Sequence, residues 1–295
     1  MPTSINRTVL MSDARHFSAE QAINPYYFDS HADIAQAQKE HDSIRLALES
    51  VGVTVITTPS PEDSQDGVYT ANWALVRGNK AVLSRLPDVR KSEEKWAREV
   101  LNNLGKEVID VPDGLRFSGQ GDALACGPYL FCGKGYRSDE DAQIFAADAL
   151  GYTRVQLQTI PQLNNEGMPV TNPVSGWEDS FFYDIDLALS IIQHPSENRP
   201  GLIAYCPDAF TDESCQKIKQ LISDGSIEAI EVTFEEAEKA FACNLVSTGS
   251  AVVMSAEAPK LKAELEKRNI TVVTPVIHEL SKGGGYIRCT SLCLD

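Results

Sequence analysis

The chain repeats one short unit five times. In each copy a segment with a helical pattern of apolar residues ends at or near a glycine and is followed by a short strand of β-branched residues. Glycine readily takes the left-handed conformation that ends many helices, and asparagine is its usual substitute. The copies occupy residues 46–59, 100–112, 146–158, 221–233 and 265–276, and the last has asparagine in place of the glycine.

Pairs of apolar segments bent around turn residues lie between these units and predict antiparallel strand pairs. Strand and helix alternate along the whole chain, and the repeats are too long for the eight units of a TIM barrel in 295 residues. The pattern therefore favours a closed ring of five α/β units in a single domain, residues 1–295, closed by pairing of the two ends of the chain. The predicted pairs lie at 74–85, 123–134, 185–207 and 245–255, and residues 8–12 with 286–294 form the fifth.

Charge and cysteine content narrow the classes of function. A net charge of −16 with a pI near 4.7 argues against binding to nucleic acid or to an anionic membrane, because such binding needs clustered lysine and arginine. The seven cysteines lack the spacing of zinc sites, and no apolar run approaches the ~18 residues of a membrane span. We therefore expect a cytoplasmic protein with reduced cysteines, for which a small cationic molecule is a fitting ligand.

Five short motifs along the chain carry a resemblance to a known family. "INPYYFD", "VYTANWAL", "GQGDAL", "YDID" and "GGGYIRCTSL" occur in an order similar to that of the guanidino-group-modifying enzymes of the pentein superfamily. These enzymes are arginine deiminases, dimethylarginine dimethylaminohydrolases, arginine dihydrolases and amidinotransferases. The resemblance implies a five-bladed pseudo-symmetric α/β propeller, with the active site in its central channel.

The resemblance also implies roles for particular residues. Cys289 matches the cysteine that attacks the guanidinium carbon, and Asn72 matches a residue that contacts the guanidinium group. Asp186 matches the catalytic aspartate of the His-Leu-Asp element. Arg137 stands where related sequences place an arginine that pairs with the substrate α-carboxylate, and Asn24 lies in a loop that resembles a substrate lid. The chemistry implied needs no cofactor and no metal, and no glycine-rich phosphate loop follows a strand in the required context.

Two positions depart from the pattern of the family. Ser118 replaces the glutamate that holds the guanidinium, in the motif that also contains Asp122, and Asp184 replaces the histidine that shuttles protons. If Asp184 and Asp186 lie two apart on a strand, both project to the same face. Like charges held close together raise the pKa of one carboxyl group, which can create a proton donor. His194 and His278 are the residues that could replace the missing imidazole, although each reads more simply as a surface or satisfied histidine.

A structural interpretation competes with each functional one. A lone cysteine such as Cys289 is usually a small buried apolar residue, and Asp122 could simply bond the amides of a turn. Three consecutive glycines, 283–285, precede Cys289, and we interpret them as a way to let a substrate come close. Unpaired carboxylates are costly to bury, so Asp184 and Asp186 in an otherwise apolar segment favour function.

Three functions remain open from the sequence. The first is a cysteine hydrolase of guanidino C–N bonds in arginine-like substrates, and the second is an amidinotransferase that shares its covalent intermediate. The third is a catalytically silent protein that binds a cationic amino acid or a protein partner. The sequence also leaves open whether the protein forms a homodimer.

Overall fold

The computed structural model describes residues 4–27 and 31–295, and its strands form three-stranded sheets of one recurring type. In each sheet the first strand runs antiparallel to the second, and the second runs parallel to the third. We call the first strand of each sheet its inner strand. In sheet order the strands are β15 (Leu292–Cys293), β1 (Thr8–Met11) and β2 (Thr54–Thr57); β3 (Ala74–Arg77), β4 (Lys80–Leu83) and β5 (Glu107–Asp110); β6 (Ala123–Cys126), β7 (Tyr129–Gly133) and β8 (Thr153–Leu157); β9 (Leu189–Gln193), β10 (Gly201–Tyr205) and β11 (Ile227–Glu231); and β12 (Val246–Ser247), β13 (Ala251–Val253) and β14 (Thr271–Val273).

A helix connects the second strand of each sheet to the third, because parallel strands cannot be joined by a tight turn. One further helix, α5, precedes β12. None of the helices in the described residues combines the length and the apolar character that a bilayer span requires. The helices are α1 (Ile34–Ser50), α2 (Ser92–Asn103), α3 (Glu140–Leu150), α4 (Asp212–Ser223), α5 (Phe234–Ala240) and α6 (Pro259–Lys267).

The five predicted repeat units are confirmed. Each connecting helix is followed by a residue with positive φ, where the chain turns back toward the sheet and enters the third strand. The backbone therefore uses glycine, and once asparagine, where the sequence places them. These residues are Gly52, Gly105, Gly151, Gly225 and Asn269.

The two ends of the chain form one sheet together. Val9 pairs with Cys293 and Leu10 with Leu292, so the predicted pairing of residues 8–12 with the C-terminal segment is confirmed. The prediction of a strand over 286–294 is wrong before Leu292, because residues 287–290 form a turn. Thr290 Oγ1 donates a hydrogen bond to the carbonyl of Ile287, which gives that backbone group a local partner in place of a sheet partner.

Inner strands of neighbouring sheets contact one another, or contact the short helix that precedes the next inner strand. Strand β9 contacts both β6 and β12, and β15 contacts the short helix Thr70–Trp73 that precedes β3. Every inner strand follows a short turn or single 3₁₀ turn, and we call these five segments the axial turns. They comprise residues 70–73, 119–121, 185–187, 242–244 and 287–290.

The left-handed residue after α6 supplies a test of the repeat. Asn269 has φ of 57°, a conformation that an alanine side chain adopts at a cost of about 1–2 kcal/mol. We expect Asn269→Ala to lower the free energy of unfolding by about 1 kcal/mol and Asn269→Gly to leave it within about 0.5 kcal/mol. Urea unfolding followed by circular dichroism measures both.

The matched control is Asn103→Ala, at the exposed last residue of α2, where the backbone is helical. Alanine is the better helix former there and should not destabilise the protein. An equal loss of stability from Asn103→Ala and Asn269→Ala would contradict the role assigned to the left-handed turn.

Candidate active site

The structure brings the sequence-predicted residues together at the axial turns. Most of them line one small cavity of about 20 Å³, which is room for about one water molecule. Asp122 and Asp186 do not line it, although each contacts residues that adjoin it. The predicted residues in the lining are Asn24, Asn72, Ser118, Arg137, Asp184 and Cys289.

Cys289 is held by polar groups on two sides, although only 2% of its surface is exposed. Its Sγ lies 3.1 Å from Asn244 Nδ2 and 3.4 Å from Asp186 Oδ2. The Cys289 backbone N–H also donates to Asn244 Oδ1, at 3.1 Å. Two bonds from one amide fix the turn that carries the thiol, so the sulfur has a defined position relative to Asp186.

The surroundings of Cys289 disfavour its thiolate. Burial raises the pKa of the thiol well above its usual value, and the carboxylates of Asp186 and Asp184 raise it further. The hydrogen bond from Asn244 opposes this effect without reversing it. A cation placed beside the sulfur would therefore have a large influence on its ionisation.

Three buried aspartates lie close to one another here, and two of them, Asp184 and Asp186, act on the thiol. Burial raises the pKa of Asp122, Asp184 and Asp186, and their mutual repulsion adds to the rise for Asp122 and Asp186. For Asp184 the charge of Arg137 and the hydrogen bond from Asn72 oppose it. One oxygen of each carboxyl group is buried without a hydrogen-bond partner, and such a group favours a proton or a cationic ligand.

The expected strand around Asp184 and Asp186 is not present. Asp184 is extended, but Asp186 lies in the 3₁₀ turn Ile185–Leu187, and β9 begins only at Leu189. Asp122 Oδ1 accepts the N–H of Ile185 and so supports this turn. The two carboxyl groups consequently have different partners: Asp184 Oδ2 accepts from Asn72, and Asp186 Oδ2 lies next to Cys289.

Arg90 is a component of the site that the sequence did not reveal. Its guanidinium makes two 2.8 Å bonds to the buried carboxylate of Glu93, and its Nη1 donates to Asn72 Oδ1 at 3.1 Å. This contact fixes the orientation of the Asn72 amide, whose Nδ2 then donates to Asp184 Oδ2 at 2.7 Å and to Ser118 Oγ at 2.9 Å. In sequence, Arg90 and Glu93 look like ordinary charges at the start of a surface helix.

Asn244 was also missed, although the repeat contains a signal for it. Each inner strand is preceded within a few residues by a polar site residue, as in "TANWAL" for Asn72 and "RCTSLC" for Cys289. "ACNLVS" places Asn244 at the corresponding point before β12. Alignment of the five units at the axial turns would have identified it.

Arg137 and Asn24 connect peripheral segments to the cavity. Arg137 donates to the carbonyls of Ile23 and Glu178 and forms an ion pair with Asp179 at 3.4 Å. Asn24 Nδ2 donates to the carbonyl of Gly283 at 3.0 Å. Residues 28–30, which include the end of the "INPYYFD" motif, lie outside the described part of the chain.

The three glycines before Cys289 have a packing role in the structure. A Cβ atom at Gly283 or Gly285 would collide with the ring of Tyr69, and one at Gly284 would collide with the amide of Asn24. Gly284 also has φ of 80°. The glycines thus admit two side chains that line the cavity, where the sequence had suggested that they admit a substrate.

Neither candidate histidine lies at this cavity. His194 Nε2 hydrogen-bonds the carbonyl of Ala125, and His278 is exposed. Within residues 4–27 and 31–295, no group of three histidine, cysteine or acidic side chains has the arrangement of a metal site. None of the described histidines lines this cavity, and the ionisable side chain in hydrogen-bond contact with the Cys289 sulfur is Asp186.

Comparisons with known proteins agree with this architecture. A model of the eukaryotic N,N-dimethylarginine dimethylhydrolase family matches residues 16–170. The chain is 28% identical over 289 residues to the bifunctional arginine dihydrolase/ornithine cyclodeaminase AgrE of Nostoc sp., covering 96% of this chain and 37% of that protein. It is 26% identical over 293 residues to the N(G),N(G)-dimethylarginine dimethylaminohydrolase of Mycobacterium tuberculosis, covering 98% and 86%. The chain thus spans little more than a third of its bifunctional relative.

Solved structures show the same fold. The N-terminal domain of the cyanobacterial protein ArgZ, in a crystal structure covalently bound to a reaction intermediate, has a TM-score of 0.83 at 26% identity, covering 98% of this chain and 97% of that one. A dimethylarginine dimethylaminohydrolase from Pseudomonas aeruginosa, in complex with citrulline, has a TM-score of 0.72 at 18% identity, covering 97% and 98%. The predicted five-bladed α/β propeller is confirmed.

The geometry around the thiol predicts its titration. We expect alkylation of Cys289 by iodoacetamide to have a pH midpoint above the ~8.5 of a free thiol, because burial and Asp186 disfavour the thiolate. Asp186→Asn removes the nearest negative charge and should lower that midpoint. Peptide mass spectrometry with fragmentation distinguishes Cys289 from Cys293 and measures the rate at each pH.

Asp295→Asn is the matched control for this experiment. It removes an acidic charge near Cys293 and is not among the causes that shift Cys289, so the Cys289 midpoint should stay unchanged. A midpoint below neutral in the unaltered protein, insensitive to Asp186→Asn, would mean that a cation activates the thiol.

Proposed function

We propose that this chain, which belongs to the N,N-dimethylarginine dimethylhydrolase family, hydrolyses a guanidino C–N bond of an arginine-like amino acid through a covalent bond to Cys289. The observation that carries this proposal is the contact between the Cys289 thiol and Asp186, with the buried carboxyl group of Asp184 nearby. A nucleophile with a proton acceptor in reach, at a site that favours a cation, suits attack on a guanidinium carbon.

The charges around the cavity favour a ligand that carries both a cationic and an anionic group, such as an amino acid with a guanidinium side chain. Asp184 and Cys289 line one part of it, and the buried guanidinium groups of Arg90 and Arg137 also face it. Arg90 makes two 2.8 Å bonds to the Glu93 carboxylate, whereas Arg137 bonds three backbone carbonyls and has a longer 3.4 Å ion pair with Asp179. We therefore assign the substrate carboxylate to Arg137 and the guanidinium to Asp184.

Substrate entry requires the cavity to open. A volume of about 20 Å³ is far smaller than the 300 Å³ at the lower end of small-molecule sites. Ile23 and Asn24 line the cavity from one segment, and Gly283 and Gly285 line it from another. Separation of these two segments would break the bond from Asn24 to Gly283, which supports the lid role assigned to Asn24.

The substrate cation has a direct effect on the nucleophile. A guanidinium group between Asp184 and Cys289 lowers the pKa of the thiol, because it offsets the negative charges that raise it. Cys289 then transfers its proton to Asp186, and the sulfur forms a bond to the guanidinium carbon. Asp186 returns that proton to the departing nitrogen, which leaves as ammonia or an amine while the C–N bond breaks.

Water completes the reaction. Asp186, again a carboxylate, accepts a proton from the water that attacks the carbon of the thiouronium intermediate. The C–S bond then breaks as the carbinol hydroxyl releases its proton to solvent, the neutral ureido product leaves, and the sulfur takes the proton from Asp186. Asp186 thus performs the proton transfers that the histidine performs in the family pattern, where this chain has Asp184.

A catalytically silent binding protein is the second candidate. The raised pKa of Cys289 and the absence of an imidazole among the residues that line the cavity favour it. Such a protein would keep the charge complementarity of the cavity and lose turnover.

A substrate panel decides between these functions. We expect the protein to release ammonia, an alkylamine or urea from at least one of arginine, the methylated arginines and guanidino acids, and Cys289→Ser to abolish this release. Trapping of a covalent adduct of Cys289 by acid quench and mass spectrometry adds a direct readout. Transfer of the amidino group to an added amine, without hydrolysis, would instead identify an amidinotransferase.

The control variant for the panel is Cys293→Ser, four residues away and outside the site cavity. It should retain full activity. Binding of the panel compounds without any turnover, in calorimetry, would leave the silent binder as the function.

The role of Arg137 predicts a difference between two substrate types. Arg137→Gln should raise KM for amino-acid substrates about 10- to 100-fold, because it removes a charge-assisted bond to the carboxylate. Agmatine lacks that carboxylate, so its KM should change little. Arg199→Gln, at an exposed position outside the cavity, is the control, and equal effects of Arg137→Gln on both substrate types would contradict the assignment.

A further inference from the structure

A pocket of about 350 Å³ adjoins the candidate active site, and we call it the outer pocket. It shares Leu86, Pro87 and Trp177 with the lining of the site cavity, so these three side chains form the wall between the two spaces. Its rim contains exposed residues, among them Lys91 and Asp113, and its volume lies within the range of small-molecule sites. The outer pocket therefore connects solvent with one wall of the site cavity.

Two other cavities offer no comparable approach to the thiol. The cavity of about 410 Å³ that contains Leu75 and Leu189 in its lining shares no lining residue with the site cavity. A pocket of about 460 Å³, which we call the aromatic pocket, is lined by Tyr26, Phe181 and Ser281 among others and also shares none. A molecule that entered from either of these cavities would have to pass a further layer of residues.

Trp177 is the least enclosed residue of the shared wall. Leu86 and Pro87 are buried, whereas Trp177 is half-buried and lies between the exposed residues Gly176 and Glu178. Gly176 has φ of 70°, a conformation that glycine adopts without strain. The backbone next to Trp177 is therefore free of packing on its outer side, and the ring can move away from the wall.

Two cation–π contacts hold the ring of Trp177 in the wall. The guanidinium carbon of Arg116 lies 5.1 Å from the centroid of the ring, and that of Arg137 lies 5.7 Å from it. Contacts of this kind are individually weak, so their loss costs little. Because the substrate carboxylate is assigned to Arg137, the ring stands at the end of the site where the α-carbon of the substrate would lie.

The segment that carries Trp177 is tied to the lid. Residues 158–184 form the longest connection between two blades and contain no helix or strand beyond isolated bridges. Connections of this length commonly have a function. Asn172 Nδ2 donates a 3.0 Å hydrogen bond to the carbonyl of Ala22, two residues before Asn24. The Trp177 segment and the lid segment can consequently open together.

We propose that amino-acid substrates enter the candidate active site from the outer pocket, and that Trp177 is the movable part of the wall between them. Charges of both signs on the rim, such as Lys91 and Asp113, suit a zwitterionic molecule. The inference rests on the proposed function only for the identity of the ligand. The route itself applies to any small molecule that reaches Cys289, including the ligand of a protein without turnover.

A simpler role for Trp177 would be to hold Arg137 in place. That role would affect binding of the substrate carboxylate, but it would not change the rate at which an uncharged reagent reaches Cys289. Iodoacetamide is such a reagent. Its reaction with Cys289 at a fixed pH therefore distinguishes an entrance from a support.

The first measurement is the rate of Cys289 alkylation in variants of Trp177. Trp177→Ala removes both cation–π contacts and should raise the rate about five- to thirtyfold, since each contact favours the closed wall about two- to fivefold. Trp177→Phe keeps an aromatic face and should raise the rate less. The pH midpoint of the reaction should stay unchanged, because Trp177, Arg116 and Arg137 are not among the main causes that shift the pKa of Cys289.

Asn269→Ala is the control for general destabilisation. It is expected to lower the free energy of unfolding, and it lies outside the linings of the site cavity and the outer pocket. Alkylation of Cys289 should rise much less in Asn269→Ala than in Trp177→Ala. An equal rise in both variants would mean that the thiol is reached by unfolding and would overturn the proposal.

The second measurement blocks one pocket at a time. Ser175 lines the outer pocket, Ser281 lines the aromatic pocket, and both are half-buried. The Ser175→Cys and Ser281→Cys variants are labelled with fluorescein maleimide before Cys289 is alkylated, and the unaltered protein treated in the same way corrects for labelling of the native cysteines. The label in Ser175→Cys should remove most of the alkylation rate, and the label in Ser281→Cys should leave the rate unchanged.

Each of these outcomes can be read without turnover, so failure of the hydrolase proposal would leave the test intact. If Trp177→Ala does not fold, as judged by circular dichroism, Trp177→Phe and the labelled variants decide the question. A rate that Trp177→Ala leaves unchanged, a rate that the label in Ser175→Cys leaves unchanged, or a rate lost through the label in Ser281→Cys would overturn the proposed entrance.

Discussion

The convergence of five axial turns on one axis is the constraint from which the other features of this site follow. Closing the ring brings polar groups from every blade into a space that excludes water, where each unpaired group is costly. The chain offsets part of this cost with Arg90, whose charge is held by Glu93 and whose free edge orients Asn72. One oxygen each of Asp184 and Asp186 stays without a hydrogen-bond partner, and a cationic ligand would reduce the cost of burying them.

Local sequence signals predicted the fold well. Each repeat unit is short, and glycine or Asn269 marks the same backbone conformation in every copy, so the pattern needed no long-range information. The pairing of the two chain ends could be predicted because the four complete blades leave one unpaired strand at each end of the chain. The prediction of a strand over 286–291 was wrong. Alternation of residue types cannot reveal that the hydroxyl groups of Thr290 and Ser291 donate to the carbonyl of Ile287.

The sequence identified candidate site residues only at the positions of the family motifs. Cys289, Asp184 and Asn72 stand at motif positions and come together in the structure. Arg90 belongs to no such motif, and its contact with Asn72 depends on how α2 packs against the blade, which no local pattern encodes. Asn244 lies between these cases, since its place before an inner strand was visible in the repeat.

The two departures from the family pattern partly compensate each other. Ser118 removes a carboxylate and Asp184 supplies one, and both side chains accept from the same Asn72 amide nitrogen. The negative charge available to a guanidinium is therefore retained in the same neighbourhood, while the imidazole is lost. In the proposed mechanism, substrate binding therefore depends on Asp184 and proton transfer depends on Asp186. A positioned acid–base group contributes about 10²–10⁴ in rate. Loss of the imidazole can therefore slow turnover while the pocket keeps its negative charge.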